Sequence, residues 1–298
     1  EVLFMTNAEL EIFSLLAELR GFTLTAQHLG ISQSAVSHAL KSLEKELGVP
    51  LLDRQGAQIE LTEIGERLLP RAREILAASE AIKQEAAEFR GLKLGSLRIG
   101  SFGPSSTIRL LPKILESFRK QYPGIDVRVD EGPDEEVIQW IQERRVDIGF
   151  VVLPDDRFDT HELVEDQLVA LIPNGHELAE QKAIKPRDLC DIPFIMTEAG
   201  SAGVIGPVFS DAGLVPDIRF RTSQVLSTIS MVSRGDGVAV VAELALPPDD
   251  LAKSYHVRPL SPPRKRTIGL ALNETRLSSP AAKAFVKVAG RFADTADF

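Results

Sequence analysis

The chain has 298 residues, of which 44% are apolar and 26% charged, and its formal net charge is −9. That length suits two or three domains, and the balance is that of a globular protein with cores of its own. No apolar run approaches the roughly 20 residues needed to cross a bilayer, and the acidic charge argues against a protein that simply coats nucleic acid.

Residues Glu1 to Phe4 read like the remnant of a protease site ahead of Met5, and no signal-peptide pattern follows, so the reading starts at Met5. The single cysteine, Cys190, has no partner for an internal disulfide, which points to the cytoplasm. From Ala8, the segment AELEIFSLLAEL sets Leu10, Phe13, Leu16 and Ala17 on one stripe at helical spacing, and Gly21 stops the helix. TLTAQHLG from Thr23 predicts a second, short helix closed by Gly30, with Ala26 small enough for a crossing helix to approach. Ser32 stands where an N-cap belongs for a third helix, SQSAVSHALKSLEKELG. Val36, Leu40, Leu43 and Leu47 recur on one face of it. The other face carries Gln33, Ser34, Ser37, His38, Lys41 and Lys45, none of them acidic. Two helices joined by a tight turn, the second polar and basic outside, form a helix-turn-helix. Short side chains near the start of that helix, Ser32 included, suit base edges in a major groove, and the lysines suit phosphates. The spacing equally allows a plain three-helix bundle with a solvated face.

The stretch AQHLGISQSAVSHALKSLEKELGVPLLDR from Ala26, followed by LTEIGERLLPRAREIL from Leu61, closely resembles the signature of the LysR-type transcriptional regulators. The resemblance implies a winged helix-turn-helix over residues 5–62 that binds double-stranded DNA. VPLLDR and IELT would form the wing, with Arg54 near the minor-groove backbone. The charge departs from that pattern: between Met5 and Thr62, four bases against seven acids leave −3. The family commonly has arginine where His38 stands. Fewer phosphate contacts imply a shallower salt slope, at about −0.9 per neutralised phosphate, and more reliance on base contacts and dimerisation. His38 is read as a neutral hydrogen-bonding side chain.

Residues 63–90 predict one long linker helix that starts after Thr62, with Glu63 and Glu66 at the positive end of its dipole. Leu61, Leu68, Ile75, Ile82 and Phe89 recur every seven residues, with Ala72, Ser79 and Ala86 between them. A large-plus-small heptad suits two closely approaching helices. Leu68, Ile75, Ile82 and Phe89 are therefore the dimerisation candidates, the alternative being a helix packed within its own domain. Pro70, inside the helix, predicts a bend. GLKLGS, residues 91–96, reads as a flexible hinge.

Residues 97–298 read as a two-lobed α/β effector domain. Strands at LRIGSF, IDVRVDEG and VDIGFVV alternate with helices from Ser106 and in VIQWIQERR, an order that implies a parallel sheet. QLVALIP from Gln167, PFIMT, DIRFRT, a helix at Val225–Ser233 and GVAVV form a second set; a strand from Thr267 and a helix from Pro280 return to the first lobe. The lobes are placed at about 97–166 with 268–298, and at about 167–267. The stretch resembles the LysR substrate-binding domain, whose fold is like that of periplasmic binding proteins. Ligands on such sheets sit where strands end and helices begin. Four loops qualify, EGPDEE from Glu131 among them; the other three supply Ser101, Ser105, Ser106, Thr107, Thr197, Ser201, Thr222 and Ser223 as effector-binding candidates. Each hydroxyl is equally open to a role in helix capping. Hydroxyl-lined helix N-termini favour an anion, but Asp134 and Glu198 would repel one if they faced inward. Arg109 reads as an exposed helix arginine.

The five histidines show no metal-ligand spacing, and Walker, nucleophile-elbow and dinucleotide motifs are missing from the sequence, so neither metal, cofactor nor enzyme chemistry is expected. Cys190 reads as a packing residue. The expectation is a cytoplasmic, non-membrane LysR-type regulator that binds an interrupted palindrome as a homodimer or homotetramer. A small-molecule effector in the interlobe cleft modulates it, and RNA polymerase stands as a further candidate partner. The rival is a cytoplasmic small-molecule receptor or enzyme on the same two-lobed fold.

Overall fold

A computed structural model describes residues 5–53, 59–91, 93–198, 202–247 and 254–295. Arg54 and Ser201, both singled out above, lie outside the described residues. The head opens on a capping box: the Thr6 hydroxyl accepts the Glu9 amide at 3.2 Å, and the Glu9 carboxylate accepts the Thr6 amide at 2.9 Å. Helices α1 (Asn7–Leu19), α2 (Phe22–Leu29) and α3 (Gln33–Leu47) follow, closed by left-handed residues at Arg20, Gly30 and Gly48. Their apolar stripes meet in one small core around Phe13, Leu16, Ala26, Val36, Leu40 and Leu43.

The wing is a short antiparallel pair, β1 (Leu52–Asp53) with β2 (Glu60–Leu61). It is tied to α3 by the Glu44 carboxylate, which accepts the amides of Leu51 and Leu52 at 2.8 and 3.3 Å. Helix α4 (Glu63–Phe89) starts directly beneath it, capped by the Thr62 hydroxyl on the Gly65 amide at 3.0 Å. A Cβ at Gly65 would lie 2.1 Å from the Leu51 carbonyl oxygen, so only glycine allows this approach. The helix continues through Pro70.

The rest of the chain builds one eight-stranded mixed sheet. Its strands are β3 (Leu94–Phe102), β4 (Gly124–Gly132), β5 (Ile148–Leu153), β6 (Asp159–Pro173), β7 (Phe194–Thr197), β8 (Ile218–Thr222), β9 (Val238–Ala242) and β10 (Tyr255–Leu272), in the spatial order β4-β3-β5-β10-β6-β9-β7-β8. Parallel strands β4, β3 and β5 are joined through α5 (Leu111–Gln121) and α6 (Asp134–Gln142). At the other end, β8, β7 and β9 are parallel, with α7 (Ala202–Ser210) and α8 (Val225–Ser233) between them in sequence. The long antiparallel pair β6 and β10 belongs to both halves. Two cores result: Ile99, Phe118, Ile141, Phe150 and Phe285 of α9 (Pro280–Thr295) in lobe I, and Leu171, Phe194, Phe209, Ile229 and Val240 in lobe II.

Three expectations are corrected. The last strand begins at Tyr255, not Thr267. Pro259, Pro262 and Pro263 lie in its first half, and its ladder with β6 jumps from Pro259–Val169 to Arg264–Leu168 because proline has no amide to offer. Strand β6 begins at Asp159, before the QLVALIP run, in a mostly polar stretch whose apolar residues are the adjacent Leu163 and Val164, which show no alternation. Residues Leu94 to Ser96, placed in the hinge, are strand and pair with Gly124 to Asp126.

Candidate functional site

The outer face of α3 is open. Ser32, Gln33, Ser34, His38 and Lys41 are exposed and Ser37 is half-buried, while Val36, Leu40 and Leu43 on the opposite face are fully buried. The Ser32 hydroxyl caps the helix by accepting the Ala35 amide at 3.1 Å, and it lies 2.9 Å from the Ser34 hydroxyl. The acidic balance of the head weighs less on this surface than the count suggests. Glu9 is engaged in the capping box and Glu44 in holding the wing.

Along α4, Ile75, Ile82 and Phe89 are 41%, 68% and 93% exposed, one apolar line at seven-residue spacing left increasingly open among the described residues. Leu68 differs, being half-buried against the head's own core. Ala72 is buried in that same core, and the Ser79 hydroxyl accepts a bond from the Asn7 side-chain Nδ2 at 2.7 Å. Two members of the small-residue series therefore face the head of their own chain. Other α4 residues dock on lobe I. The buried Arg73 places Nε 3.4 Å from the Ser14 hydroxyl and Nη1 3.1 Å from Glu143, just beyond α6, and burial lowers its pKa. Arg144 pairs with Glu74 at 3.3 Å. Gln84 bonds the Ser96 carbonyl at 3.0 Å and the Ala281 amide at 3.1 Å.

The cleft candidates gather in two hydroxyl groups, one per lobe. At the end of β3, Ser101 lies 2.9 Å from both the Ser106 and Thr107 hydroxyls, and Ser106 also accepts the Phe102 amide at 2.9 Å. These residues lead into a π-helical turn, Ser105–Leu110, before α5; such turns are frequent at functional sites. At the ends of β7 and β8, Thr197 and Thr222 both bond the buried Thr228 hydroxyl of α8, at 2.7 and 2.6 Å. Ser223 is exposed and joins neither group by a described bond.

Between the groups, on the crossing strands, Arg266 of β10 faces Asp166 of β6. The Arg266 Nε and Nη2 atoms lie 2.8 and 2.7 Å from Asp166 Oδ2, and Nη2 also donates to the Ser105 hydroxyl at 2.7 Å. Both charged side chains are almost wholly buried, 3% and 1% exposed. Asp134, at the start of α6, has its Oδ1 buried without a partner. Burial pushes its carboxyl up to about 6, against the opposing pull of the Arg266 charge. Trp140 packs so closely on the end of β4 that a Cβ at Gly132 would lie 2.6 Å from its ring.

Of the acids flagged above, then, Asp134 faces inward, whereas Glu198 is exposed and pairs with Arg221 at 3.3 Å. Arg109 is half-buried with a partnerless Nε, not an exposed helix arginine. Asp166, Arg266 and Thr228 escaped the sequence reading. PPRKRT looks like a solvated basic run until β10 is known to be a strand, when Arg264 and Arg266 fall on one face. The Cys190 thiol is raised by burial, away from thiolate reactivity. Among the described residues no group of His, Cys, Asp or Glu is arranged to hold a metal ion, and no helix is long and apolar enough to cross a membrane.

A helix-turn-helix head, a long linking helix and a two-lobed mixed-sheet domain with buried hydroxyls at its strand ends define a ligand-responsive transcription regulator. Residues 8–66 match the bacterial regulatory helix-turn-helix model of the lysR family, and residues 90–293 match the LysR substrate binding domain. The chain belongs to the LysR family of transcriptional regulators. It is 32% identical to the uncharacterized regulator YvbU of Bacillus subtilis, over 96% of this chain and 98% of that one. It is 33% identical to the probable regulator LrrA of Synechococcus elongatus, over 95% and 96%. In fold it is similar to full-length OxyR from Pseudomonas aeruginosa, with a TM-score of 0.76, 22% identity and coverage of 96% and 95%.

Proposed function

We propose that the chain reads an interrupted-palindrome operator as a homodimer, or a tetramer built from it, and that a small effector in the interlobe cleft alters the spacing of the two heads. The observation that carries this reading is the open outer face of α3, where Ser32, Gln33, Ser34, Ser37 and His38 are offered to base edges and Lys41 to phosphate, over a buried opposite face. Residues 5–62 form the reading head in this proposal, 63–90 the linker and 97–298 the effector domain. Arg54 is assigned to the wing's backbone contact and Ser201 to the cleft through the resemblance alone. Ile75, Ile82 and Phe89 supply the partner-facing line of α4, with Leu68 at its inner end. Ser101, Ser105, Ser106, Thr107, Thr197, Thr222 and Ser223 line the cleft, the internally bonded hydroxyls shaping it.

The test is a gel shift on DNA flanking the gene, followed by a base-by-base operator scan. Ser34→Ala and Ser37→Ala should each cost about 1–3 kcal/mol at particular base pairs. A uniform loss over all sequences would reassign those serines to the phosphate backbone, and a monomer indifferent to every fragment would remove the regulator reading altogether.

A further inference from the structure

We propose that Arg73 is a positioning residue for DNA reading, which locks the head, α4 and lobe I of one chain into a single moving body. The Arg73 side chain is 8% exposed. Its Nε faces the Ser14 hydroxyl of α1 at 3.4 Å, and Nη1 donates to the carboxylate and the carbonyl of Glu143 at 3.1 and 3.4 Å. One cation thus answers the head on one side and lobe I on the other. Its neighbours Leu69, Ala72 and Leu76 pack in the head's own core. Stranding a buried charge is costly, so neither side can part from it freely. Next to it, Glu74 meets Arg144 at 3.3 Å. Arg144 holds φ 53°, a left-handed conformation that residues other than glycine keep where their surroundings fix it.

A helix held at one point can rock about it. The second point is Gln84, which is 3% exposed. Its Nε2 donates to the Ser96 carbonyl of β3 at 3.0 Å, and its Oε1 accepts the Ala281 amide at 3.1 Å. That amide lies in the first turn of α9, where the helix itself supplies no acceptor. A Cβ at Gly95 would lie 2.6 Å from the Gln84 side chain, so the start of β3 is shaped to receive it. Arg73 and Gln84 are eleven residues apart, about three turns and about 16 Å along one face of α4. Ile75, two residues on from Arg73, lies about 200° round the helix, and Ile82 and Phe89 follow it. Lobe I and the open apolar line therefore take opposite sides of α4, and two anchors on one side fix its direction.

The single tryptophan, Trp140, lies in lobe I with the Arg145 guanidinium 4.5 Å from its ring centroid, so its fluorescence follows the unfolding of that lobe. Urea unfolding of the full chain is read by Trp140 and by hydrogen exchange of the α1–α3 amides, with and without a promoter fragment that the protein shifts. DNA contacts the head, so in a single body it should raise both midpoints equally. In Arg73→Met and in Glu74→Arg the head midpoint should still rise, while the Trp140 midpoint keeps less than about half of its shift. Glu74→Arg combined with Arg144→Glu should restore it. Variants that lower both midpoints but leave the DNA-induced shift of Trp140 intact overturn the inference, since Arg73 would then only stabilise the fold. So does a wild-type Trp140 midpoint that ignores bound DNA. Should Arg73→Met fail to fold, Glu74→Arg carries the test, because that pair is 41% and 25% exposed.

A second measurement needs no DNA. In a Cys190→Ser background, spin labels are attached at Glu11→Cys and Glu136→Cys, both exposed positions, and labelled chains are diluted with unlabelled protein. The wild type should give one narrow distance that broadens in Glu74→Arg and narrows again in the charge swap. A broad or double wild-type distribution, or one that neither Arg73→Met nor Glu74→Arg alters, overturns the inference. A narrow distance in protein that shifts no promoter fragment would leave the lock standing and remove the operator reading instead.

Discussion

The outer face of α3 and the floor of the cleft are both polar, but they are built in opposite ways. On α3 the side chains, Ser37 apart, are exposed and, but for the Ser32–Ser34 contact and the cap, show no bonds to one another. In the cleft the groups are buried and mostly engaged: serine with serine, threonine with threonine, Arg266 with Asp166. A surface that reads a large, hydrated polymer keeps its donors and acceptors in water until contact. A site for a small molecule settles its shape beforehand and leaves a few atoms unanswered. The difference teaches where binding energy is stored: on α3 in the contacts to come, in the cleft in the arrangement already made.

Three measurements would sharpen or break that contrast. The largest effect belongs to Arg266→Ala, which strands the buried Asp166 charge and should cost about 3–5 kcal/mol in urea unfolding. Arg266→Met combined with Asp166→Leu should recover most of it. A cost below about 1 kcal/mol for the single change would mean that the floor is wet and open like α3. Next comes Asp134→Asn. The Asp134 carboxyl ionises near 6 in the folded chain against an ordinary value of 3.8, so this group takes stability away as pH rises from about 4 to about 6. The amide should therefore raise stability at about pH 7.5 by up to about 3 kcal/mol, and leave it unchanged below about pH 4, as followed by Tm across that range. The smallest effect belongs to Lys41→Gln, which should leave folding alone and reduce the salt slope of DNA binding by about 1. An unchanged slope would take Lys41 off the phosphate backbone.

The head was legible because its information is local. Val36, Leu40 and Leu43 announce a buried helix face within a few residues of one another, and the polar side follows by exclusion. The three-residue neighbourhoods of Ser101 and Thr197 were legible as loop hydroxyls, though not that Thr228 would hold two of them. The cleft floor was hidden for a physical reason. Arg266 is 100 residues from Asp166 and 161 from Ser105, and the strand that brings it there is masked by three prolines. No periodicity announces a buried charge pair, because each partner alone looks like surface. Leu68 and Ala72 show the converse: a heptad fixes which residues share a stripe, but not whether the stripe meets a partner chain or the chain's own head.

Helix α6 ties lobe I to the linker helix α4. Its first residue, Asp134, stands in the cleft, and the two residues past its end, Glu143 and Arg144, grip Arg73 and Glu74 of α4. Nine residues span about 13 Å, so a tilt of about 5° about the cleft end carries the gripping end about 1 Å sideways. The gripped α4 is 27 residues long, about 40 Å, and roots in the head. The grip at Arg73 and Glu74 lies ten residues from the start of α4, about 15 Å, so a shift at the far end of α6 would reach the root of the reading head over a short, stiff length of helix.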